Sequence, residues 1–572
     1  RRFQLPRILL GSALPQPTEP APLMFLRPLA ALLAAAFAVP ALAQDISTAN
    51  LTETVRTLAS DQFQGRAPGT VGEERTVGYL IGRLQALGLE PAGPNGEWTQ
   101  PVPLLHTRLG TPTALAFDRQ GSATPLTLGT DIYVSSQQDK DVAAIADAPM
   151  VFVGYGVHAP ERGWDDFKGV DLKGKVAVFL VNDPDFVATK GEDSFGKFGG
   201  RTMTYYGRWT YKFEEAARRG AIAALIVHDT DGAGYGWNVV KSPGGENYSL
   251  VVPPEKATSL ALQGWISGEA STRLFASAGQ DLAKLRIAAR RKDFRPVDLG
   301  TGFRASIPVT HEVVRSQNVL AKISGTDRAD EVVMYGAHWD AYGEGKPDEK
   351  GRIYRAGAND DALGVAALIE IARGFKAAPP TDRTLLFAFW TAEERGLLGS
   401  EACAQAPVYP VEKTVANLGI DILQTAGKSK DVILVGKGQG TLEDDLARVA
   451  AMQGRTVSPE SLPERGLFFR ADHFSMAKRG VPVLLLMGIA GVSDLVEGGK
   501  EAGQKWVDDY TGRCYHQACD AWDESWNLAG AAQDIALFYT IGDELARSGK
   551  WPGWKSGSEF KALRDQTAAT RK

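Results

Sequence analysis

From about residue 305 onward, short apolar runs alternate with segments whose apolar residues recur at helical spacing. The runs predict buried strands at 331–336, 384–390, 416–423 and 481–487. The segments between them predict helices at 363–375, 442–452 and 472–478. Strands that alternate with helices predict a largely parallel sheet covered on both faces, and in such sheets ligands bind at the carboxyl ends of the strands.

The chain ahead of this region shows two other patterns. Residues 50–92 keep a broadly helical spacing, interrupted by a loop rich in Gly, Ser and Pro. Residues 103–260 consist mostly of short β-type runs, with one helical segment at 209–219. Because this β-rich part has its own apolar runs and turn residues, we interpret residues 138–294 as a domain inserted into the α/β domain.

The segment that begins at Met24 has the pattern of a secretory signal peptide. Arg27 precedes an apolar run, and the run ends in Ala41-Leu42-Ala43, which is typical of a cleavage site. The run is shorter than the ~20 apolar residues that a membrane-spanning helix needs. We therefore expect residues 24–43 to be removed and the mature chain to be exported, to the periplasm or outside the cell, without a membrane span.

The composition narrows the class of partner. Hydrophobic residues make up 44% of the chain and charged residues 23%, which is ordinary for a globular protein. The formal net charge of −5 argues against a nucleic-acid partner, because such partners usually require a basic surface. We also infer no obligate protein partner.

The three cysteines leave two possibilities open. An exported chain tolerates disulfides, and Cys514 and Cys519 are close enough in sequence to pair, which would leave Cys403 free. The alternative is three free, mostly buried thiols.

Polar clusters follow the predicted strands. His338 and Asp340 come directly after the strand at 331–336, and a neutral imidazole is a good zinc ligand that a carboxylate can orient. Taken alone, this pair favours an ordinary surface histidine over a metal ligand. Asp360 and Asp361 precede the helix at 363–375, where they could simply cap the helix.

Further carboxylates follow the next two strands. Glu393 and Glu394 come after the strand that ends at Trp390, so one could bind a metal ion while the other accepts a proton; a solvated helix start is the plainer alternative. Asp421 is predicted inside an apolar strand, where an ionised carboxylate is costly unless it is paired or bound to metal. His516 adds a second imidazole.

Together these clusters supply two imidazoles and at least three carboxylates near strand ends or in a loop. That set suits two zinc ions bridged by one carboxylate, and a site of this composition is suited to hydrolysis.

The order of the motifs resembles peptidase family M28, a family of zinc peptidases, so peptides are the expected substrates. The motifs that carry the resemblance are GAHWDAYG, GANDDALGVAALIEIAR, FWTAEERGLLGS, NLGIDILQ and CYHQACD. The resemblance implies a zinc-peptidase α/β/α sandwich with a mixed central sheet, formed by residues 44–137 and 295–550 and followed by a tail at 551–572. Compared with the strand motif of the family, the motif NLGIDILQ has two extra residues between Asn417 and Asp421. Asp421 remains the only acidic candidate in that strand.

The resemblance also implies a role for each site residue. One zinc ion would be bound by His338 and Asp421, the other by Glu394 and His516, with Asp360 as the bridge between them. Glu393 would be the general base, Asp340 would support His338, and Tyr515 would donate a hydrogen bond to the tetrahedral oxyanion. The peptide bond Asp360–Asp361 would be cis, and Arg470, in the stretch FRADHF, would contact substrate.

The stretch WTYKFEEAARRGAIAALIVHD resembles a protease-associated (PA) domain, which identifies the insertion at 138–294 as such a domain. The family resemblance implies an aminopeptidase. Three alternatives stay open: a carboxypeptidase, dipeptidase or glutaminyl-cyclase-like enzyme of the same fold, a receptor-like relative without activity, and a protein whose main task is recognition by the PA domain.

Overall fold

The computed structural model describes residues 45–571. The predicted signal peptide at 24–43 lies outside the described residues. None of the helices within 45–571 combines the length and the apolar character needed to cross a membrane.

In chain order, the strands are β1 Glu90–Pro91, β2 Thr99–Leu109, β3 Ala114–Arg119, β4 Ser122–Pro125, β5 Ile132–Ser135, β6 Val142–Phe152, β7 His158–Ala159, β8 Trp164–Asp165, β9 Val176–Leu180, β10 Ala223–Val227, β11 Glu246–Leu250, β12 Leu262–Ile266, β13 Val297–Ile323, β14 Arg328–His338, β15 Gly343–Glu344, β16 Tyr354–Arg355, β17 Arg383–Trp390, β18 Thr414–Ile420, β19 Asp431–Leu434, β20 Thr456–Pro459 and β21 Val483–Leu486. The helices are α1 Thr48–Leu58, α2 Val71–Ala86, α3 Trp209–Arg218, α4 Thr230–Ala233, α5 Trp237–Val240, α6 Gly268–Ser277, α7 Leu282–Ala288, α8 Leu363–Ala377, α9 Leu398–Gln405, α10 Leu442–Met452, α11 His473–Ala477, α12 Gly499–Asp509, α13 Ala529–Arg547 and α14 Lys561–Gln566.

The central sheet has the strand order β21-β18-β14-β17-β13 and is mixed. The first four strands are parallel, whereas β13 runs antiparallel to β17. On the far side β2 pairs with β13 and β11 pairs with β2, both antiparallel. The expected α/β class with a mixed central sheet is confirmed.

Helices cover both faces of this sheet because its strands are apolar on both sides. On one face α1, α2, α8 and α13 pack on it, and α8 is buried almost all round, as expected for a helix with few polar positions. On the other face the core includes Leu386, Trp390 and Met476. Local caps set the first helices: the Ser47 side chain accepts from the Asn50 amide at the start of α1.

A second sheet, with the strand order β6-β9-β10-β12-β5, is formed mainly by the β-rich part of the chain. Its parallel strands β9 and β10 are buried on both faces, between two apolar clusters of their own. The two sheets share β13, whose residues 302–306 pair with β3 and whose residues 319–323 pair with β17. The domain boundaries at 138 and 294, and the PA assignment, stay predictions.

Two features differ from the strand predictions. The strand predicted at 416–423 ends at Ile420, so Asp421 lies just beyond the strand instead of within it. The 27-residue strand β13 is not among the predicted strands, although its first half alternates regularly between buried and exposed positions. Cys514 and Cys519 form a disulfide, and Cys403 is a buried free thiol.

Candidate metal centre

The strand registers bring the polar clusters to one edge of the central sheet. His338 ends β14 opposite Trp390, the last residue of β17, and Gly336 lies opposite Gly419 in β18. Because these strands are parallel, the residues that follow them emerge side by side. The remaining two groups come from loops: Asp360 from the turn Ala358–Ala362 before α8, and His516 from the disulfide-closed loop.

Within residues 45–571, two sets of side chains are arranged to hold a metal ion. The first is His338, Asp360 and Asp421, and the second is Asp360, Glu394 and His516; the ligand atoms in each set lie within 4.8 Å of one another. Asp360 belongs to both sets. The structure therefore brings together all five predicted metal ligands.

The distances fit two ions that share one carboxylate. His338 Nε2 lies 3.0 Å from Asp360 Oδ1 and 4.0 Å from Asp421 Oδ1. His516 Nε2 lies 3.3 Å from Asp360 Oδ2 and 3.3 Å from a Glu394 carboxylate oxygen. Two ligands at ~2.0–2.1 Å from a tetrahedral zinc ion are about 3.3 Å apart. Each oxygen of Asp360 thus faces one of the two positions.

The protein alone does not satisfy these carboxylates. Asp421 Oδ1 is buried and has no hydrogen-bond partner among the described residues. Burial, reinforced by the nearby Asp360 carboxylate, raises the pKa of Asp421 to about 8. Burial and Asp360 also raise the pKa of Glu394 well above its usual range. Buried polar atoms are nearly always paired, so this surplus of negative charge fits bound cations.

Glu393 lies beside the two metal positions without belonging to either set. One of its carboxylate oxygens is 4.0 Å from His338 Nε2, and its side chain is 10% exposed. Burial raises the pKa of Glu393 well above its usual range, although His338 opposes that shift. Its backbone amide donates to Asp340 Oδ1 over 3.0 Å, which fixes the start of this loop.

Asp340 is fully buried next to His338. His338 Nδ1 donates to the main-chain oxygen of Asp340 over 3.0 Å and lies 3.6 Å from its carboxylate. This hydrogen bond leaves Nε2 free to face Asp360 and Asp421, as a metal ligand requires. Asp340 therefore contacts both His338 and the backbone of Glu393.

The two candidates for contact with substrate lie close to this centre. The Tyr515 ring packs on the His516 ring with centroids 3.6 Å apart, and burial raises the pKa of Tyr515. Arg470 is partly exposed. Burial lowers the pKa of Arg470, but Tyr515, Tyr235 and Glu393 together raise it by more. The pKa therefore lies above its usual range.

Asp361 has the capping role that its place before the helix allows. Its Oδ1 accepts from the Gly364 amide over 2.9 Å at the start of α8, and its Oδ2 accepts from the His338 amide over 3.3 Å. The Asp360–Asp361 peptide bond is cis. Asp360 and Asp361 therefore point to different partners.

Sequence reasoning missed three side chains that surround the ligands: Arg66, Tyr342 and Asp520. Tyr342 Oη lies 3.0 Å from His516 Nδ1, and the two rings are in contact. Arg66 and Asp520 bind the backbone around Asp360. Tyr342 and Asp520 both lie in motifs that carry the family resemblance, GAHWDAYG and CYHQACD, so their positions carried a signal. The contacts of Arg66 depend on distant parts of the chain.

Residues 318–540 match the model of peptidase family M28. This region contains both metal-ligand sets, Glu393, Tyr515 and the four parallel strands of the central sheet. This part of the chain is thus similar to peptidase family M28.

Similar proteins cover parts of the chain. A probable lipoprotein aminopeptidase, LpqL, of Mycobacterium tuberculosis is 25% identical over 58% of this chain and 59% of its own length. Leupeptin-inactivating enzyme 1 of Streptomyces exfoliatus is 29% identical over 39% of this chain and 47% of its own length. Aminopeptidase Y of Saccharomyces cerevisiae is 26% identical over 37% and 36%. The chain thus spans less than two thirds of the length of each of these relatives.

Two solved structures are also similar. The aminopeptidase from Aneurinibacillus sp. strain AM-1 has a TM-score of 0.46 at 19% identity, covering 89% of this chain and 96% of that one. A zinc aminopeptidase from Bacillus subtilis has a TM-score of 0.42 at 17% identity, covering 91% and 99%.

Proposed function

We propose that the protein is a two-zinc peptidase that removes residues from the amino terminus of peptides. The observation that carries the proposal is the pair of ligand sets that share Asp360, with Glu393 beside them and in neither. The names of the relatives support the activity class: two are aminopeptidases, and a probable zinc metalloprotease of Pyrenophora tritici-repentis is 32% identical over 20% of this chain.

The ligand chemistry supports zinc at both positions. His338 and Asp421 would hold one ion, Glu394 and His516 the other, and Asp360 would bridge them. Imidazole nitrogen combined with carboxylate oxygen is a donor set that zinc accepts readily. Three protein ligands at each position leave room for water or substrate, which is the arrangement of catalytic zinc sites.

When bound, zinc ions polarise a carbonyl group and lower the pKa of water. Glu393 takes the proton from the attacking water and passes it to the leaving amine. The raised pKa of Glu393 in its buried position suits a group that must hold a transferred proton. Asp340 keeps this base in place, because its carboxylate accepts from the Glu393 amide.

Tyr515 donates a hydrogen bond to the substrate oxygen as that oxygen gains negative charge. Its high pKa keeps the phenol protonated and therefore able to donate. Arg470 is partly exposed, and the charges of Tyr515 and Glu393 act on it, which supports its assignment to contact with bound peptide.

The β-rich insertion borders this centre, which fits a PA domain that shapes the entrance. Arg395, next to Glu394, lies over the ring of Tyr248 from the β-rich part at 4.9 Å and over the ring of Tyr342 at 5.2 Å. The signal-peptide pattern at 24–43 favours a mature enzyme in the periplasm or outside the cell.

The decisive experiment is metal analysis beside hydrolysis of free and N-acetylated aminoacyl-nitroanilides, using chain that starts at Gln44. We expect two zinc ions per chain and cleavage of the free-amine substrates only. Two zinc ions without cleavage would instead indicate a carboxypeptidase, dipeptidase or cyclase. If the chain binds no metal and shows no turnover after zinc is added, the proposed enzymatic activity is refuted. The remaining alternative is then a binding protein with a peptidase fold.

A further inference from the structure

The loop that carries the bridging carboxylate is held from both sides by buried charges of opposite sign. Arg66 donates from Nη1 to the Ala356 carbonyl and from Nη2 to the Gly357 carbonyl, the latter over 2.9 Å. Asp520 accepts from the Asn359 amide over 3.0 Å and from the Asp360 amide over 3.1 Å. One side chain thus binds the carbonyls of residues 356–357, and the other binds the amides of 359–360.

Arg66 joins this loop to the first metal position. Its Nε donates to the carbonyl of Trp339, between His338 and Asp340, over 2.7 Å. Its own carbonyl accepts from the Ala341 amide over 3.3 Å. The guanidinium therefore spans two loops, and a planar fork with several fixed donors is what such a contact requires.

Asp520 joins the same loop to the second metal position. It lies just after the disulfide-closed loop that contains His516. Its main-chain oxygen accepts from the Ala358 amide over 3.1 Å, and Tyr510 donates to its carboxylate over 3.0 Å. The loop of His516 and the loop of Asp360 are therefore bound to each other through Asp520.

The backbone between these two side chains is closely packed. Gly357 has a φ of +53°, a conformation that favours glycine. A Cβ atom at this position would lie 2.1 Å from the Asp360 carbonyl oxygen and 3.1 Å from Arg66 Nη2. The backbone that presents Asp360 is thus fixed by direct contact with Arg66.

Both charges are buried, with Arg66 at 0% and Asp520 at 2% exposure. Burial lowers the pKa of Arg66, while Asp340, Asp520, Asp361 and Asp360 oppose that shift. The positive charge of Arg66 is therefore compensated by the carboxylates of the centre itself.

We propose that Arg66 and Asp520 are positioning residues that fix Asp360 between the two metal positions before either ion binds. Arg66 acts mainly on the position of His338 and Asp421, and Asp520 mainly on that of Glu394 and His516. This inference rests on the proposed two-zinc function.

The test measures Zn²⁺ and Co²⁺ binding to the metal-free full chain by calorimetry and by the visible spectrum of bound Co²⁺. We expect Arg66→Lys and Asp520→Asn to weaken binding about 10–100-fold, the range for groups that orient metal ligands. In a His516→Ala background, where only the first position remains, Arg66→Lys should have the larger effect. In a His338→Ala background, where only the second position remains, Asp520→Asn should have the larger effect.

Arg564→Lys is the matched control. Arg564 is 3% exposed and donates to the Thr414 and Val415 carbonyls. These two residues begin β18, whereas Asp421 follows its other end. Arg564→Lys should lower stability without changing metal affinity or the Co²⁺ spectrum. Folded Arg66→Lys and Asp520→Asn variants that bind both ions as the wild type does would overturn the proposal.

Hydrogen exchange of the metal-free wild type tests the same idea without a variant. The amides of Ala358, Asn359 and Asp360 should be protected before any ion is added. Fast exchange that slows only after zinc is added would also overturn the proposal. If the wild type binds no metal at all, it is the proposed function that fails, and the exchange result still reports on the loop.

Discussion

The candidate metal centre and the region beside the second sheet both bury charged side chains, but the partners of these side chains differ. Beside the second sheet, Lys212 Nζ of α3 donates to the carbonyls of Tyr155, Asn182 and Tyr206 at 2.7–3.2 Å. The nearby Asp183 accepts two hydrogen bonds from Thr204, each 2.7 Å long. The chain itself provides the partners of these charges.

At the metal centre the chain leaves carboxylate oxygens without partners. Asp421 Oδ1 and Asp340 Oδ2 are buried and have none among the described residues. A buried charge that the protein satisfies supports the fold, whereas buried carboxylates with free lone pairs are arranged for a cation from outside the chain. Burial therefore does not identify a functional site; the unpaired Asp421 oxygen is informative because it converges with His338 and Asp360 in one ligand set.

The largest expected effect is on turnover, and it distinguishes the proposed base Glu393 from the proposed metal ligands. Glu393→Gln should keep both metal ions and lower kcat by about a thousandfold or more, because the amide cannot accept the proton. The measurement is kcat beside metal content. Glu370→Gln is the control, since Glu370 is also a buried carboxylate but binds Ser47, Asn50 and Arg373. Undiminished turnover of the Glu393 variant would remove Glu393 from this role.

The matching change in α3, beside the second sheet, should act on stability alone. Lys212→Met leaves three buried carbonyls without their donor and Asp183 without a nearby positive charge. We expect a loss of about 3–5 kcal/mol in unfolding free energy. Urea unfolding measures the loss, and metal stoichiometry should stay at the wild-type value. A loss of metal in the folded variant would contradict the distinction between the two regions.

Asp166, which directly follows β8 in the β-rich part of the chain, predicts a pH-dependent stability. Burial raises its pKa to about 7, although the Val157 amide and the Trp164 indole donate to it. The unfolded chain has a value of about 3.9, so the folded state binds more protons between these values and stability falls as pH rises through that window.

The slope from this one group is at most about 1.4 kcal/mol per pH unit. Urea unfolding of the metal-free chain from about pH 4.5 to 7.5 should show Asp166→Asn losing part of the decline that the wild type shows. Parallel curves for the two proteins would mean that Asp166 does not titrate in this window.

The smallest expected effect concerns the partner of a ligand. Tyr342→Phe removes the hydrogen bond to His516 Nδ1 and keeps the ring contact. Zinc should bind about tenfold more weakly, in the lower part of the range for such partners. Calorimetric titration measures this, with Tyr539→Phe in α13 as the control. Equal affinities would show that His516 is oriented by its loop alone, where it has a φ of +61°.

Much of the fold and of the ligand inventory could be predicted from sequence because the signals are local. The apolar spacing in 442–452 predicts a helix with the same bounds as α10, and the motif order groups the five ligand candidates. The pattern puts Asp421 inside a strand because Ile422 and Leu423 continue the apolar run beyond Ile420.

What the sequence did not predict depends on contacts between distant residues. Arg66 binds the carbonyls of Trp339 and Gly357, which lie 273 and 291 positions away. No spacing rule links such positions, and a lone arginine in a Gly-rich loop normally faces solvent. The strand β13 escapes prediction for a related reason: polar residues around 311–318 interrupt its apolar alternation, and its pairing with β2 compensates for them.

β13 has a consequence for any attempt to separate the two halves of the molecule. Its 27 residues, at ~3.3 Å each, form one ladder through both sheets. Its first part pairs with β6 and β3, and its last part pairs with β17. Excising residues 138–294 would leave 297–308 without β6, and expressing 138–294 alone would leave β6 without β13. Either fragment would expose an unpaired strand edge, which favours aggregation. Residues 138–294 are therefore not a self-contained unit, and a graft of them onto another scaffold has to carry residues 297–308 as well.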